Sequence, residues 1–373
     1  MTANKTKWVR LGDYIEVVDD RNTEGIDYPF CGINKDKNFM PTVADTNNID
    51  NTKYKLVAQG TFAFSGMQTG RDVCIRIALQ SEDKVVLISP AYTTFRVKKK
   101  YELTPLFLYM QFIRFEMDRY GWFLSDGSIR SNLDWDRFCD IRILLPSMEE
   151  QRELVATYEG LKRLAEDNEA LIAPLTEACQ AFIVDCKRQY PSVPLSDYIK
   201  EVDERNSEGT DYPFCGVNKD KAFMPTVADT NNLDNRKYML VKQDTFVFSG
   251  MQTGRDVCIR IALQSNEGTI LVSPAYTTFK VKDTSKILPQ YMFLQFNRFE
   301  MDRLGWFLSD GSIRSNLDWD RFTEIKIPLP PMEVQQSIVN LYHCIEEAKN
   351  IAREARERLT SLCPALIQKA INS

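Results

Sequence analysis

The chain has 373 residues, 43% hydrophobic and 27% charged, with 47 Lys and Arg against 52 Asp and Glu for a net charge of −5. That length gives two or three domains with ample core, and the composition excludes a disordered chain. No apolar run is long enough to span a membrane, and residues 1–10 are polar and basic with no apolar signal core, so a cytoplasmic location is expected. The nine cysteines agree: scattered, odd in number and without a CxxC pair, they read as reduced core thiols rather than metal ligands or disulfides. The acidic balance argues against nucleic acid only at first sight. Phosphate affinity depends on a local basic surface, and the acidic residues are dense in the helical segments.

In chain order, the first feature is Asn34-Lys-Asp-Lys-Asn, where Lys35 and Lys37 suit phosphate contact or a solvated turn. Four short runs rich in Val, Ile, Phe and Thr follow, LVAQGTFAFSG, VCIRIAL, VVLISP and TTFRVK, each bounded by turn residues and read as strands. Between the first two lies Ser65-Gly-Met-Gln-Thr-Gly-Arg-Asp. Its glycines allow close backbone approach, and Gln68, Thr69 and Arg71 are suitable DNA readers; the plain alternative is a hairpin turn with Arg71 paired to Asp72. Tyr92, Thr93 and Thr94, after Ser89-Pro-Ala, suit thymine methyls or phosphate, or else a buried strand.

From Pro105, PLFLYMQFIRFEMDRYGWF has helical spacing and is expected to end near Gly121. Ser125-Asp-Gly-Ser-Ile-Arg-Ser-Asn is the second polar, glycine-centred loop, with Ser128, Arg130 and Asn132 as phosphate ligands; the alternative is a structural turn into a helix capped by Asn132 or Asp134. A long helix starts at Pro146, with Ser147 as cap and Glu149 and Glu150 in the first turn. Leu154, Tyr158, Leu161, Ala165, Asn168, Ile172, Leu175, Cys179 and Phe182 then recur at steps of four and three, a heptad seam. Asn168 on that seam fixes register, and Pro174 is expected to kink the helix or end its regular part.

The unit occurs twice. Residues 64–81 recur without change as 248–265, and 121–138 as 305–322, at the offset of 184 that separates Arg71 from Arg255 and Trp135 from Trp319. Each candidate therefore has a counterpart: Lys219 and Lys221; Gln252, Thr253 and Arg255; Tyr276, Thr277 and Thr278; Ser312, Arg314 and Asn316. The second seam runs through Ile338, Leu341, Ile345, Ala348, Ala352, Ala355, Leu359, Leu362 and Leu366, with Pro364 as its departure. The helices share pattern more than identity, whereas the globular parts are almost one sequence. Two large copies mean two independent domains rather than a solenoid. The expected organisation is α+β, with sheet-rich domains over 1–146 and 189–330 and helices over 147–188 and 331–373 packed as an antiparallel coiled coil, the whole pseudo-two-fold symmetric. Roughly 29 seam residues at 1.5 Å each give about 43 Å, a ruler on the scale of one DNA turn.

Pro146-Ser-Met-Glu-Glu-Gln-Arg-Glu-Leu-Val and Pro330-Pro-Met-Glu-Val-Gln-Gln-Ser-Ile-Val resemble the start of the conserved helices in Type I restriction–modification specificity subunits. Trp8-Val-Arg-Leu-Gly-Asp, and more weakly Val193-Pro-Leu-Ser-Asp, resemble the opening of their target recognition domains. The resemblance covers the whole chain and implies a non-catalytic subunit. Each recognition domain would read half of a split double-stranded DNA site, and the helices would set the gap. It implies as partners two DNA methyltransferase subunits, usually adenine-specific, and restriction motor subunits. No cofactor is expected on this chain, S-adenosylmethionine belonging to the partner methyltransferase. The family's two recognition domains commonly differ, whereas here they nearly coincide. Dyad-related equal readers see equal half-sites on opposite strands, so an interrupted palindrome is expected.

Three rivals fit less well. Ser89-Pro-Ala-Tyr92 is only faintly like the loop that receives a flipped base in DNA methyltransferases, and no glycine-rich nucleotide-binding turn accompanies it. A hydrolase would repeat its catalytic histidine, but the single His343 has Glu159 as counterpart and reads as a solvated helix residue. A coiled-coil scaffold binding only proteins explains the helices but not the copied polar loops.

Overall fold

The computed structural model describes residues 6–43, 45–46, 49–226 and 233–372, the side chains of 362–372 excepted. It divides into two compact units, Met1–Asp167 with Ile351–Ser373, and Asn168–Asn350. The first opens with β1 (Lys7–Arg10), β2 (Ile15–Val18), β3 (Phe30–Ile33) and β4 (Phe39–Pro41). Next come β5 (Lys55–Val57), β6 (Thr61–Ser65), the short α1 (Thr69–Asp72), β7 (Arg76–Leu79), β8 (Val86–Ile88) and β9 (Thr93–Val97). Helices α2 (Pro105–Phe112), α3 (Phe115–Leu124) and α4 (Trp135–Asp140) and strand β10 (Arg142–Leu145) lead into the long α5 (Met148–Gln189).

The same order recurs. β11 (Ser192–Pro194), β12 (Ile199–Glu201), β13 (Phe214–Val217), β14 (Phe223–Pro225), β15 (Met239–Val241) and β16 (Phe246–Ser249) precede α6 (Thr253–Asp256). Then come β17 (Arg260–Leu263), β18 (Ile270–Val272), β19 (Thr277–Val281), α7 (Pro289–Phe296), α8 (Phe299–Leu308), α9 (Trp319–Thr323), β20 (Lys326–Pro328) and the long α10 (Met332–Asn372).

In the first unit β2-β9-β6-β7 is an antiparallel sheet, β4-β3-β8-β5 a mixed one with β3 parallel to β8, and β1 pairs with β10. Period-two alternation explains the layering. Phe62 and Phe64 on β6 point to the helices, where Phe62 stacks on Phe95 at 4.8 Å and Phe64 on Phe138 at 4.1 Å. Ala63 between them, with Ala78, faces Ile33, Val57, Val86 and Ile88 of the second sheet. The small residue lets the sheets approach, while the rings fill the wider gap to the helices.

The helix expected from Pro105 is two helices. Thr104 caps the first through Phe107 N–H, and Arg114 is extended (φ −80°, ψ 136°), which breaks it. Gly121 does not terminate α3, which runs on to Leu124; a Cβ there would lie 2.4 Å from Ile75 Cγ1, so the glycine serves close packing. The run LVAQGTFAFSG also holds two strands, β5 and β6, with a left-handed Gly60 in the turn between (φ 79°).

Ser147 caps α5 as expected: its hydroxyl accepts from Glu150 N–H while Glu150 Oε2 accepts from Ser147 N–H, a capping box. Gln151, fully buried, clamps the start of α5 to the segment before α2. Its Oε1 accepts from Thr104 N–H at 3.0 Å and its Nε2 donates to the Glu102 and Pro146 carbonyls. Gln335 repeats this at Leu288, Lys286 and Pro330.

Within the second unit α5 and α10 are antiparallel. α5 ends beside the start of α10, because β11 pairs with β20 and Leu329 N–H donates to the Pro191 carbonyl. Cys179, Ile183 and Cys186 then share one core with Ile338, Val339 and Ile345. The seam holds at Ala165, Cys179, Ile345, Ala348, Ala352 and Ala355 but leaves Phe182, which is exposed, for Ile183 and Cys186. A 3.6-residue helix drifts from a strict heptad, and one extra step of four restores the apolar face. Pro174 does not end α5; it lies on the exposed side, where water reaches the carbonyl it leaves unbonded. The helices have 42 and 41 residues, about 60 Å each and longer than the seam alone implied. None of the described helices is long and apolar enough to cross a membrane.

The copies differ at one buried amide. Gln111 is fully buried and pairs with Leu144, donating to its carbonyl at 3.0 Å and accepting from its N–H at 2.8 Å. Pro328 stands in the place of Leu144 and has no N–H. Tyr291, in the place of Phe107, gives its hydroxyl to the Pro328 carbonyl at 3.0 Å. Gln295 is left fully buried with neither amide atom bonded. Gln295→Leu is therefore expected to stabilise the second unit by about 1–3 kcal/mol, while Gln111→Leu destabilises the first. Denaturant unfolding of both variants checks this, and equal losses in the two would contradict it.

Candidate nucleic-acid interface

The two glycine-centred loops form one body. Residues 65–72 carry α1, and residues 125–132 follow α3. Leu133 N–H donates to the Gly66 carbonyl and Gly70 N–H to the Ser131 carbonyl, both at 2.9 Å. Asn132 Oδ1 accepts from Gln68 N–H at 3.0 Å. A Cβ on Gly66 would stand 1.7 Å from the Leu133 carbonyl oxygen, and one on Gly70 2.4 Å from Ser131 Cβ, so only glycine permits the contact.

Gln68 (φ 60°), Val73 (φ 48°) and Ser131 (φ 50°) are left-handed, as are Gln252, Val257 and Ser315. For a β-branched valine this conformation is costly, of order 1–3 kcal/mol, and it is sustained by the bonds around it. Asp126 organises the second loop, accepting from the Ser128 hydroxyl and N–H and from Asn132 N–H. Those bonds, the Ser128 hydroxyl foremost, hold its carboxyl below the usual range. Asp310 does the same for Ser312 and Asn316.

A charged cluster sits at the foot of α1. Asp72 is nearly buried, 8% exposed, and accepts from Arg76 Nη2; Lys35 Nζ lies 3.7 Å and Arg71 Nε 3.9 Å away. Arg76 first, then Lys35 and Arg71, keep this carboxyl ionised below its ordinary range. Three cations meet one carboxylate, so a positive surplus gathers locally on an acidic chain. Lys35 and Arg71 carry it to the surface at 64% and 63% exposure. In the second copy Asp256 holds Arg260, Arg255 (Nε 3.1 Å) and Lys219 (3.5 Å), and Arg255 Nη2 donates to Gln252 Oε1 at 2.6 Å.

The structure thus brings together Lys35, Gln68, Arg71 and Asn132, and Lys219, Gln252, Arg255 and Asn316. Arg130 and Arg314 are exposed on the second loop beside a fully exposed Ile129 and Ile313. The other candidates lie in the framework around the loops or are bonded within the turn. Lys37 is buried at 4% exposure, donating to Asp118 Oδ1 at 2.6 Å and to the Ile75 carbonyl at 3.0 Å; Lys221 pairs likewise with Asp302. Thr69 and Thr253 are buried with their hydroxyls on the Gly66 and Gly250 carbonyls. Ser128 and Ser312, though exposed, spend their hydroxyls on the turn. Tyr92 and Tyr276 pack on the second-sheet core, and the Tyr276 hydroxyl accepts from Val217 N–H. Thr93 and Thr277 are half-buried in β9 and β19. Thr94 and Thr278 are buried, donating to the Val18 and Val202 carbonyls.

Sequence reasoning passed over the outer face of α3, where Phe115, Tyr120, Trp122 and Phe123 are exposed; Phe299, Trp306 and Phe307 repeat it. Trp122 Cδ1 also lies 2.8 Å from where a Gly70 Cβ would be, so this helix backs the two loops. Among the described residues no group of three or more His, Cys, Asp or Glu could hold a metal.

Residues 198–358 match the family described as Type I restriction modification DNA specificity domain. No curated protein matches the chain. The fold is similar to that of the Type-I restriction-modification system S subunit from M. genitalium, at 14% identity and TM-score 0.62 over 99% of this chain and 96% of that one. The HsdS subunit from Thermoanaerobacter tengcongensis aligns at 16% identity and TM-score 0.44 over 99% of this chain and 97% of that one.

The loop junction is testable by a single methyl group. Gly66→Ala, made with Gly250→Ala, is expected to force the two loops apart and cost at least about 1–3 kcal/mol. Gly127→Ala, which has nothing within 4 Å of its Cβ, is expected to be close to neutral. Hydrogen exchange of Leu133 and Gly70 amides with thermal unfolding reads both effects, and equal behaviour of the two variants would refute the junction.

Proposed function

Starting from the match of residues 198–358 to the Type I restriction modification DNA specificity domain, and from the first copy that repeats them, we propose that this chain is the specificity subunit of a Type I restriction–modification complex. Each interlocked loop pair reads one half of a bipartite double-stranded DNA site. Lys35 and Lys219 contact phosphate, while the Gln68–Arg71 and Gln252–Arg255 edges face the bases. The helices α5 and α10 act as spacer and as the docking element for two methyltransferase subunits. Those subunits carry S-adenosylmethionine and the methyl-transfer chemistry, and motor subunits add cleavage. Equal reading loops take equal half-sites. On the antiparallel arrangement expected from the sequence these are inverted, giving an interrupted palindrome.

One observation supports this reading most: the basic cluster over a buried carboxylate, set on a strained loop pair and present in both copies. A protein-only scaffold has no use for that arrangement. In a gel shift with the methyltransferase partner present, binding is expected to be sequence-dependent and to weaken steeply between about 50 and 200 mM salt. Lys35→Ala with Lys219→Ala is expected to weaken binding about equally on all sequences and to reduce the salt slope by about one unit for each phosphate no longer neutralised. Sequence-independent retention, or none at all, would favour the scaffold.

A further inference from the structure

The cluster at Asp72 does more than add positive charge. A phosphate contact needs a cation but no fixed plane, and a long mobile lysine serves it well. Arg71 is placed differently. It sits inside a four-residue helix flanked by two left-handed residues, Gln68 and Val73, on a loop bonded along its length to its neighbour. A carboxylate stands 3.9 Å from its Nε, an ion pair that lowers the net charge offered to a phosphate.

The second copy shows the complete clamp. Asp256 Oδ1 takes the Arg255 Nε hydrogen at 3.1 Å and Gln252 Oε1 takes one Nη2 hydrogen at 2.6 Å. Of the five guanidinium N–H groups three remain, on the outer Nη1 and Nη2 end. Two of them form a fork that matches the O6 and N7 acceptors of guanine in the major groove. The clamp also commits the Gln252 carbonyl oxygen to the arginine, so this glutamine is not free for the bidentate pairing with adenine that its side chain otherwise allows. In the first copy Asp72 and Gln68 flank Arg71 in the same order, with Nε 3.9 Å from the carboxylate.

We propose that Arg71 and Arg255, each paired with the following aspartate and Arg255 held in plane by it, read one guanine in each half-site. This rests on the DNA-reading role proposed above, and goes beyond it by naming the base and the residue.

The test uses the full chain with its methyltransferase partner and a duplex carrying the methylated target. Each guanine of the half-site is replaced in turn by 7-deazaguanine, which lacks the N7 acceptor. The expected result is a loss of about 10- to 100-fold at a single guanine per half-site. In the Arg71→Lys, Arg255→Lys chain that position is expected to lose its sensitivity while the others keep theirs. The inference is overturned if the wild-type complex binds its target specifically yet no guanine responds, or if the double variant still responds; the DNA-reading role then stands. A wild-type complex with no sequence preference overturns both. If the variant is unstable, the 7-deazaguanine scan on the unmodified protein still overturns the inference when no guanine responds.

Discussion

A single buried ion pair positions the interlocked loop pair in each copy. Lys37 and Asp118 meet at 2.6 Å out of solvent, and between them they hold both polar groups of Ile75, its carbonyl on Lys37 and its N–H on Asp118. Ile75 is the residue at which the chain leaves the first loop, and its side chain rests on Gly121 of α3. The Tyr109 hydroxyl donates to the Lys37 carbonyl, so α2 is tied to the same point. Three sequence-distant pieces, the Asn34–Asn38 turn, the strand leaving α1 and the helix behind the loops, are located by one contact. Burying two charges costs several kcal/mol, and here it is offset by these additional hydrogen bonds. The left-handed φ of 64° at Lys37 is what turns its side chain inward, and Lys221 repeats it at 60°.

That contact also marks where sequence reading stops. Lys37 lies in a string that looks solvated, and its partner is 81 residues away. Nothing local distinguishes it from Lys35, which does reach the surface. Thr94 has the composition of a reader, but its strand face buries it. Gly121 has the look of a terminator and is instead the point at which a helix touches Ile75. By contrast, the phenylalanine runs, the capping box at Ser147 and Glu150 and most of the helical seam follow from local periodicity and were legible. So were the two loops as candidates, because glycine density between apolar runs is a local signal. Their fusion into one body was not, since it depends on backbone bonds between residues 66 and 133 and between 70 and 131.

The copies have changed unequally. Leu144, Phe107, Thr104 and Ser147 have become Pro328, Tyr291, Leu288 and Pro331, altering a β-ladder, a core hydroxyl and two helix starts. The framework absorbs these changes, at Gln295 with an unbonded amide. Across residues 64–81 and 121–138, which contain both loops, nothing has changed. A surface kept the same while its supports drift is what the proposed use of one reading chemistry at two places requires. The helices, free to vary under a heptad constraint, fit a spacer and docking role.

The central claim is that equal heads read equal half-sites in inverted orientation. Strand-resolved sequencing of modified bases in DNA methylated by the complex tests it most directly. The account predicts one motif that is its own reverse complement, with two identical half-sites separated by a fixed unspecified gap. Two unrelated half-sites on either side of the gap would contradict it.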